Sequence, residues 1–248
     1  MHCEKDKPVG IVGQTITNLI CCSNENIMKP YTLYNGDTMS NDQKKRTIYL
    51  ELKDIIDPSH TALVVWDVQN LLVDRIFNQE DFLKNIKDII QAARRSGVPI
   101  IYSKITPLPR EYESPSRTLM MMRRFKIQDP DKLPIFLQPG TPEAEIHKAI
   151  TPEENDIVLP KHTASMFVGT HFESMMRNRG IETIIFTGIS TEMGIASSAR
   201  DSGNRGFYTV VVEDAVSTTD EEMHRSCLKI LERIVLVESC HKIIGCWS

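Results

Sequence analysis

The 248-residue chain carries 29 Lys and Arg against 33 Asp and Glu, a net charge of −4 at pH 7, with 41% hydrophobic residues. That length suits one α/β domain with an extension and allows a core that buries most of its apolar surface. A slightly acidic chain without a basic block lacks the electrostatic footprint of a nucleic-acid binder, and no apolar run reaches the roughly 18 residues of a membrane span, so small soluble molecules are the expected partners.

The six cysteines, at positions 3, 21, 22, 227, 240 and 246, show no zinc-type pairing and read as reduced thiols, which places the protein in the cytoplasm. Pro8 to Ser23 is mildly apolar. Glu4 and Asp6 offset the lysines before it and Gln14 and Asn18 interrupt it, so it is not expected to be an export signal. Residues 1–45 lack sustained periodicity, and a loose tail is expected there, followed by one domain over 46–248. Met28 and Met39 are alternative starts, so residues 1–38 need not belong to the working protein.

Order is expected from Tyr49 onward. Thr61 to Trp66 (TALVVW) is an unbroken apolar run without alternation, the mark of a strand covered on both faces in a parallel sheet. Asp67 follows at once, then Val68, Gln69 and Asn70. A carboxylate at the end of a buried strand needs a reason: an Asx turn or helix cap is the plain one, chemistry the other. Asp81 to Arg95 reads as an amphipathic helix with Phe82, Ile86, Ile89, Ile90 and Ala93 inward, stopped by Gly97. Val98 to Tyr102 is the second strand.

Thr106 to Gly140 holds six prolines and is too long for a bare connection, so a short helix and a role as a lid or oligomer contact are expected. Helix core packing is the preferred reading of Met120 to Met122 over a substrate surface. Asp156 to Leu159 is the third strand, halted by Pro160, with Lys161 and His162 just beyond. Thr170 to Asn178 is a helix ending at Gly180.

Glu182 to Thr187 is the fourth strand, and from Thr191 the spacing of Met193, Ile195, Ala196 and Ala199 turns helical. This strand, turn and helix points backbone N–H groups into the crevice beyond the strand. The turn offers no cysteine and no G-x-S-x-G serine. Phe207 to Val212 is the fifth strand, followed by a turn at Glu213 to Ala215. Thr219 and Glu222 form a capping box for a helix reaching Glu232, and Ile234 to Val237 is the sixth strand. Strands alternating with helices predict a doubly wound, three-layer α/β/α fold on a six-stranded parallel sheet. Without a G-x-G-x-x-G after the first strand, a dinucleotide cofactor is not expected.

WDVQN at 66–70, LPKH at 159–162 and TGISTEMGIASSARD at 187–201 together resemble the isochorismatase-like hydrolase superfamily, over roughly Thr61 to Val237. The resemblance implies the strand order 3-2-1-4-5-6. Most members, including nicotinamidases and N-carbamoylsarcosine amidohydrolases, share an Asp, Lys, Cys triad; Asp67 and Lys161 match the first two, and the Cys position falls on Gly194. That removes the thiolate that would form an acyl-enzyme. Ser190, Thr191, Ser197 and Ser198 are discounted as substitutes because the sequence places no base beside them.

Isochorismatases also have Gly there and open a vinyl ether instead of an amide, with the Asp as the acid. The resemblance therefore implies a cofactor-free hydrolase with Asp67, Lys161 and Gly194 at its centre, acting on a small anionic substrate. The alternative, which rests on Gly194 alone, is a binding or regulatory protein on the same scaffold. Burial would raise the pKa of Asp67 and Lys161 would lower it. Lys161 would hold a substrate anion or form a structural ion pair. Trp66, Phe167 and the Met segment are candidate walls of a dry pocket, and Gln69 would orient water or substrate. The resemblance further implies a cis peptide at Ile189–Ser190 that turns the amides of Met193 and Gly194 toward substrate. Nicotinamidases carry Asp-x-His after the second strand where this chain has Tyr102, Ser103, Lys104 and Ile105, so no metal is expected, and the family's habit of self-association implies a homo-oligomer.

Overall fold

The computed structural model describes residues 48–248; the expected tail at 1–45, its alternative starts and the segment considered for export lie outside the described residues. In chain order the elements are α1 (Leu52–Ile55), β1 (Thr61–Trp66), α2 (Asn70–Val73), α3 (Gln79–Arg95), β2 (Ile100–Ile105), α4 (Pro115–Phe125), β3 (Ile157–Lys161), α5 (Phe172–Asn178), β4 (Thr183–Ile189), α6 (Ala196–Asn204), β5 (Tyr208–Ser217), α7 (Glu221–Leu231), β6 (Leu236–Glu238) and α8 (Cys240–Cys246). The strands form one parallel sheet in the order β3-β2-β1-β4-β5-β6.

Alternation along β1 divides the core. Leu63 and Val65 pack with Phe82, Ile86, Ile89 and Ile90 of α3 and Ile243 of α8, while Ala62, Val64 and Trp66 pack with Phe172 of α5, Ala199 of α6 and Leu231 of α7. Every residue of β1 and β4 is buried, as expected when helices cover both faces of a parallel sheet.

The structure differs from the sequence reading in several places, each with a local cause. Pro160 does not halt β3; it lies inside the strand opposite Lys104, which an edge strand tolerates because one side of its backbone needs no partner. Glu213 to Ala215 is no turn: β5 runs on to Ser217, and its pairing with β4 shifts register between Phe186 and Gly188. The cap of α7 is Asp220, whose carboxylate accepts the Met223 N–H at 2.8 Å, and not Thr219. The C-terminal residues form α8, capped by Ser239, and the Trp247 indole N–H donates to Ile56 O at 2.8 Å. No residue of α4 is buried and Met120 is 58% exposed, so the Met run is not core.

Candidate functional site

At the carboxyl end of β1 the chain turns sharply at Asp67, which takes φ 45°, a left-handed conformation that costs most residues energy and is frequent at functional positions. The turn carries the Asp67 carboxylate over the end of β2, where the Ser103 hydroxyl donates to Oδ1 at 2.5 Å and accepts the Asp67 N–H at 3.1 Å. From the end of β3, Lys161 Nζ donates to Asp67 Oδ2 at 2.6 Å and to Thr163 O at 3.2 Å. The same ammonium sits 3.9 Å from the centroid of the Trp66 ring. Its donors are thus spent on a carboxylate, a carbonyl and an indole face.

Asp67 is 4% and Lys161 1% exposed. Burial pushes the Asp67 carboxyl above the ordinary carboxylate range, outweighing the pull of Lys161 and Ser103, and pushes the Lys161 ammonium below the ordinary lysine range despite Asp67. Each group is displaced toward its neutral form, as expected of an ion pair taken out of water.

The facing wall comes from the end of β4. The Ile189–Ser190 peptide is cis, and a turn of π-helix over Thr191–Ile195 leads into α6. Its Ile195 N–H bonds Ser190 O at 3.1 Å. Gly194 lies flat on the indole of Trp66: a Cβ built there would fall 2.0 Å from Nε1 and 2.3 Å from Cε2. Gly188 meets the backbone of the same residue, where a Cβ would lie 2.1 Å from Trp66 O.

Between these walls opens a cavity of about 530 Å³ lined by Trp66, Asp67, Lys161, Ser190, Met193 and Gly194, among others. The 106–140 segment roofs it through Pro107, Leu108, Arg117, Met121, Phe125 and Phe136, with Arg117 anchored on His162 O at 2.5 Å. Six of the eight residues singled out in the sequence therefore meet at one cavity.

Gln69 and Phe167 do not line it. Gln69 is fully buried and clamps the chain, donating to Ala144 O at 2.8 Å and Ile105 O at 3.2 Å and accepting the Ile105 N–H at 2.9 Å. Phe167 packs edge-on against Phe172 behind the site. A base does stand beside Thr191: His224 Nδ1 lies 2.8 Å from its hydroxyl, but Thr191 is fully buried and neither residue lines the cavity. Ser103 and Arg117 escaped the sequence reading. Ser103 was legible as a polar residue directly after the apolar run of β2, whereas nothing in the 106–140 composition singles out Arg117.

Among the described residues no group of three or more His, Cys, Asp or Glu is placed to hold a metal ion, and no helix is long and apolar enough to cross a membrane.

A doubly wound sheet that gathers a buried Asp–Lys couple and a helix-start turn around a cavity at its carboxyl edge has the frame of an α/β enzyme with its site beyond the strand ends. The isochorismatase domain family matches residues 61–239. The chain is 32% identical over 197 residues to the ureidoacrylate amidohydrolase RutB of Methylobacterium radiotolerans, covering 71% of this chain and 75% of that protein. Among solved structures it is similar to a cysteine hydrolase from Pseudomonas syringae pv. phaseolicola (TM-score 0.66, 21% identity, 78% of this chain and 94% of that one). It is also similar to an isochorismatase family protein from Burkholderia thailandensis (TM-score 0.63, 25% identity, 76% and 96%) and to N-carbamoylsarcosine amidase from Thermoplasma acidophilum (TM-score 0.56, 24% identity, 73% and 96%). The chain belongs to the isochorismatase family and is a hydrolase.

Proposed function

We propose that this hydrolase works without a covalent nucleophile, with Asp67 as general acid toward a small anionic substrate bearing an enol ether. The observation that carries this reading is the contact of Trp66 with Gly194: indole occupies the space that a side chain at 194 would need. A carboxyl held above its usual range by burial is the group such chemistry requires.

Asp67 gives its proton to the terminal carbon of the C=C bond, and the ether oxygen shares its lone pair to form an oxocarbenium ion. Water adds to the cationic carbon and returns a proton to Asp67; the hemiketal then collapses to a ketone and an alcohol. Lys161 keeps the carboxylate oriented and stabilises it once the proton has left. Ureidoacrylate, named for the relatives, has nitrogen in place of the ether oxygen, so the same acid would release urea, whereas an amidase would release ammonia.

The test is turnover of isochorismate and of ureidoacrylate by purified protein, with ketone, urea and ammonia assayed separately. Asp67→Asn should lower the rate at least a thousandfold, on the order expected for a general acid, while leaving the fold intact. Retained turnover in that variant, or ammonia as the main product, would refute the proposal.

A further inference from the structure

The cavity is chemically graded from floor to mouth. At the floor lie Asp67 and Lys161, both buried and paired with each other at 2.6 Å. Its roof brings two aromatic rings together: Phe125 of α4 and Phe136 beyond it lie 5.2 Å apart at 33°, and both line the cavity. At the mouth stand two guanidiniums, Arg75 just past α2 and Arg124 near the end of α4, both exposed and both lining the cavity.

The neighbouring cations are already engaged: Arg110 is held by Asp131 and Leu133, and Arg117 by His162 O and Glu113. Of the Glu192 carboxylate, one oxygen accepts from the Thr218 hydroxyl at 3.0 Å and the other is buried without a partner among the described residues. Arg75 and Arg124 have no carboxylate partner among the described residues. Arg75 lies over the Phe136 ring, 5.5 Å from its centroid, which leaves the edge of the guanidinium fork open. Helical spacing explains the roof: Arg117, Met121, Arg124 and Phe125 fall on one face of α4, the face turned to the cavity.

We infer that the substrate is an aromatic acid with a second anionic group: the reacting end at Asp67, a flat ring along Phe125 and Phe136, and a carboxylate or phosphate at Arg75 and Arg124. A cavity of about 530 Å³ has room for a molecule of that extent and exceeds what a short enol-ether acid would fill. A guanidinium fork matches either anion in two-point fashion. This inference rests on the hydrolase reading for the orientation of the substrate, but its test needs no turnover.

The experiment is calorimetric titration of the full-length protein with 4-carboxycinnamate, its monomethyl ester at the ring carboxyl, and fumarate, repeated with 4-phosphonocinnamate. The expected result is that each dianion carrying a ring binds about tenfold more tightly than the monoester or fumarate, an affinity step typical of one charge-assisted contact. In the Arg75→Gln/Arg124→Gln double variant that preference should fall to about twofold or less, and Phe136→Ala should weaken ring-bearing ligands while leaving fumarate unchanged. Asp67→Asn, which tests the acid reading separately, should keep the full preference. Equal binding of diacid and monoester, an undiminished preference in the double variant, or no binding by any of the ring-bearing acids would overturn the inference.

Discussion

Gly194 and Trp66 are interlocked: the indole fills the volume in which any side chain at 194 would have to lie, and Trp66 is itself 1% exposed with little room to retreat. The absence of a thiol is therefore built into two positions rather than one. Trp66 also carries the Lys161 ammonium on its face, so it both closes the nucleophile's place and holds part of the acid machinery proposed above.

It follows that Gly194→Cys alone should not yield a working amidase. Overpacking of this kind costs about 1–3 kcal/mol, measurable by denaturant unfolding, and Gly194→Ala should show a similar loss. Trp66→Val/Gly194→Cys should lose less stability than the summed losses of its two single variants, because the two changes share one volume and will not add. Its thiol should be alkylated by iodoacetamide, with mass mapping to separate position 194 from the native cysteines. A single Gly194→Cys protein as stable as the parent, with a freely reactive thiol, would disprove the interlock.

The sheet and the convergence of Asp67, Lys161 and Gly194 were legible in the sequence for a physical reason. Buried parallel strands are continuous apolar runs, and polar residues placed directly after such runs have few places to be except the carboxyl edge. The packing of Trp66 was not legible, since a tryptophan ending an apolar strand reads as core whichever neighbour it touches. Gln69 misled because it lies two residues past Asp67 in the same turn, but its amide is taken up by the backbone of Ile105 and Ala144 and does not reach the cavity. The 106–140 roof was foreseen by length alone; which of its side chains look inward is set by the helix phase of α4, and the exposed Met120 beside the inward Met121 shows how fine that distinction is.

Ser103 offers a test of the acid by pH. Its hydroxyl donates to Asp67 Oδ1 and pulls the carboxyl down, against the larger upward push of burial. Activity that depends on protonated Asp67 is present at low pH and is lost as pH rises through its raised value, so kcat/KM should fall on an alkaline limb lying above the ordinary carboxylate range. Removing the hydroxyl in Ser103→Ala removes a stabiliser of the anion, and the limb should move to higher pH by about half to one unit, equivalent to roughly 1 kcal/mol. A shift to lower pH would show that the limb belongs to another group.

Thr191 and His224 form a hydroxyl–imidazole pair of the sort that serves nucleophilic catalysis elsewhere, here turned away from the cavity toward α7. Burial holds the imidazole below its ordinary range, and the pair ties the start of the π-turn to α7. Thr191→Val should lower stability by about 1–3 kcal/mol, because the ring nitrogen loses its buried partner, and leave kcat within a few fold of the parent. A thousandfold loss of kcat in a folded Thr191→Val protein would restore Thr191 as a nucleophile.

Gln69 gives a complementary expectation, for a residue whose importance is architectural. Its amide satisfies three backbone groups: the N–H and O of Ile105 at the end of β2 and Ala144 O at the far end of the roof segment. The side chain thus fixes both ends of the long 106–140 insertion to the strand edge. Gln69→Ala would orphan those buried groups at about 1–3 kcal/mol each where water does not replace the amide. The expected signature is a lowered Tm, faster limited proteolysis between residues 106 and 140, and a raised KM. If Gln69 instead oriented the reacting water, kcat would fall steeply while the Tm and the proteolysis of the roof stayed at parental values.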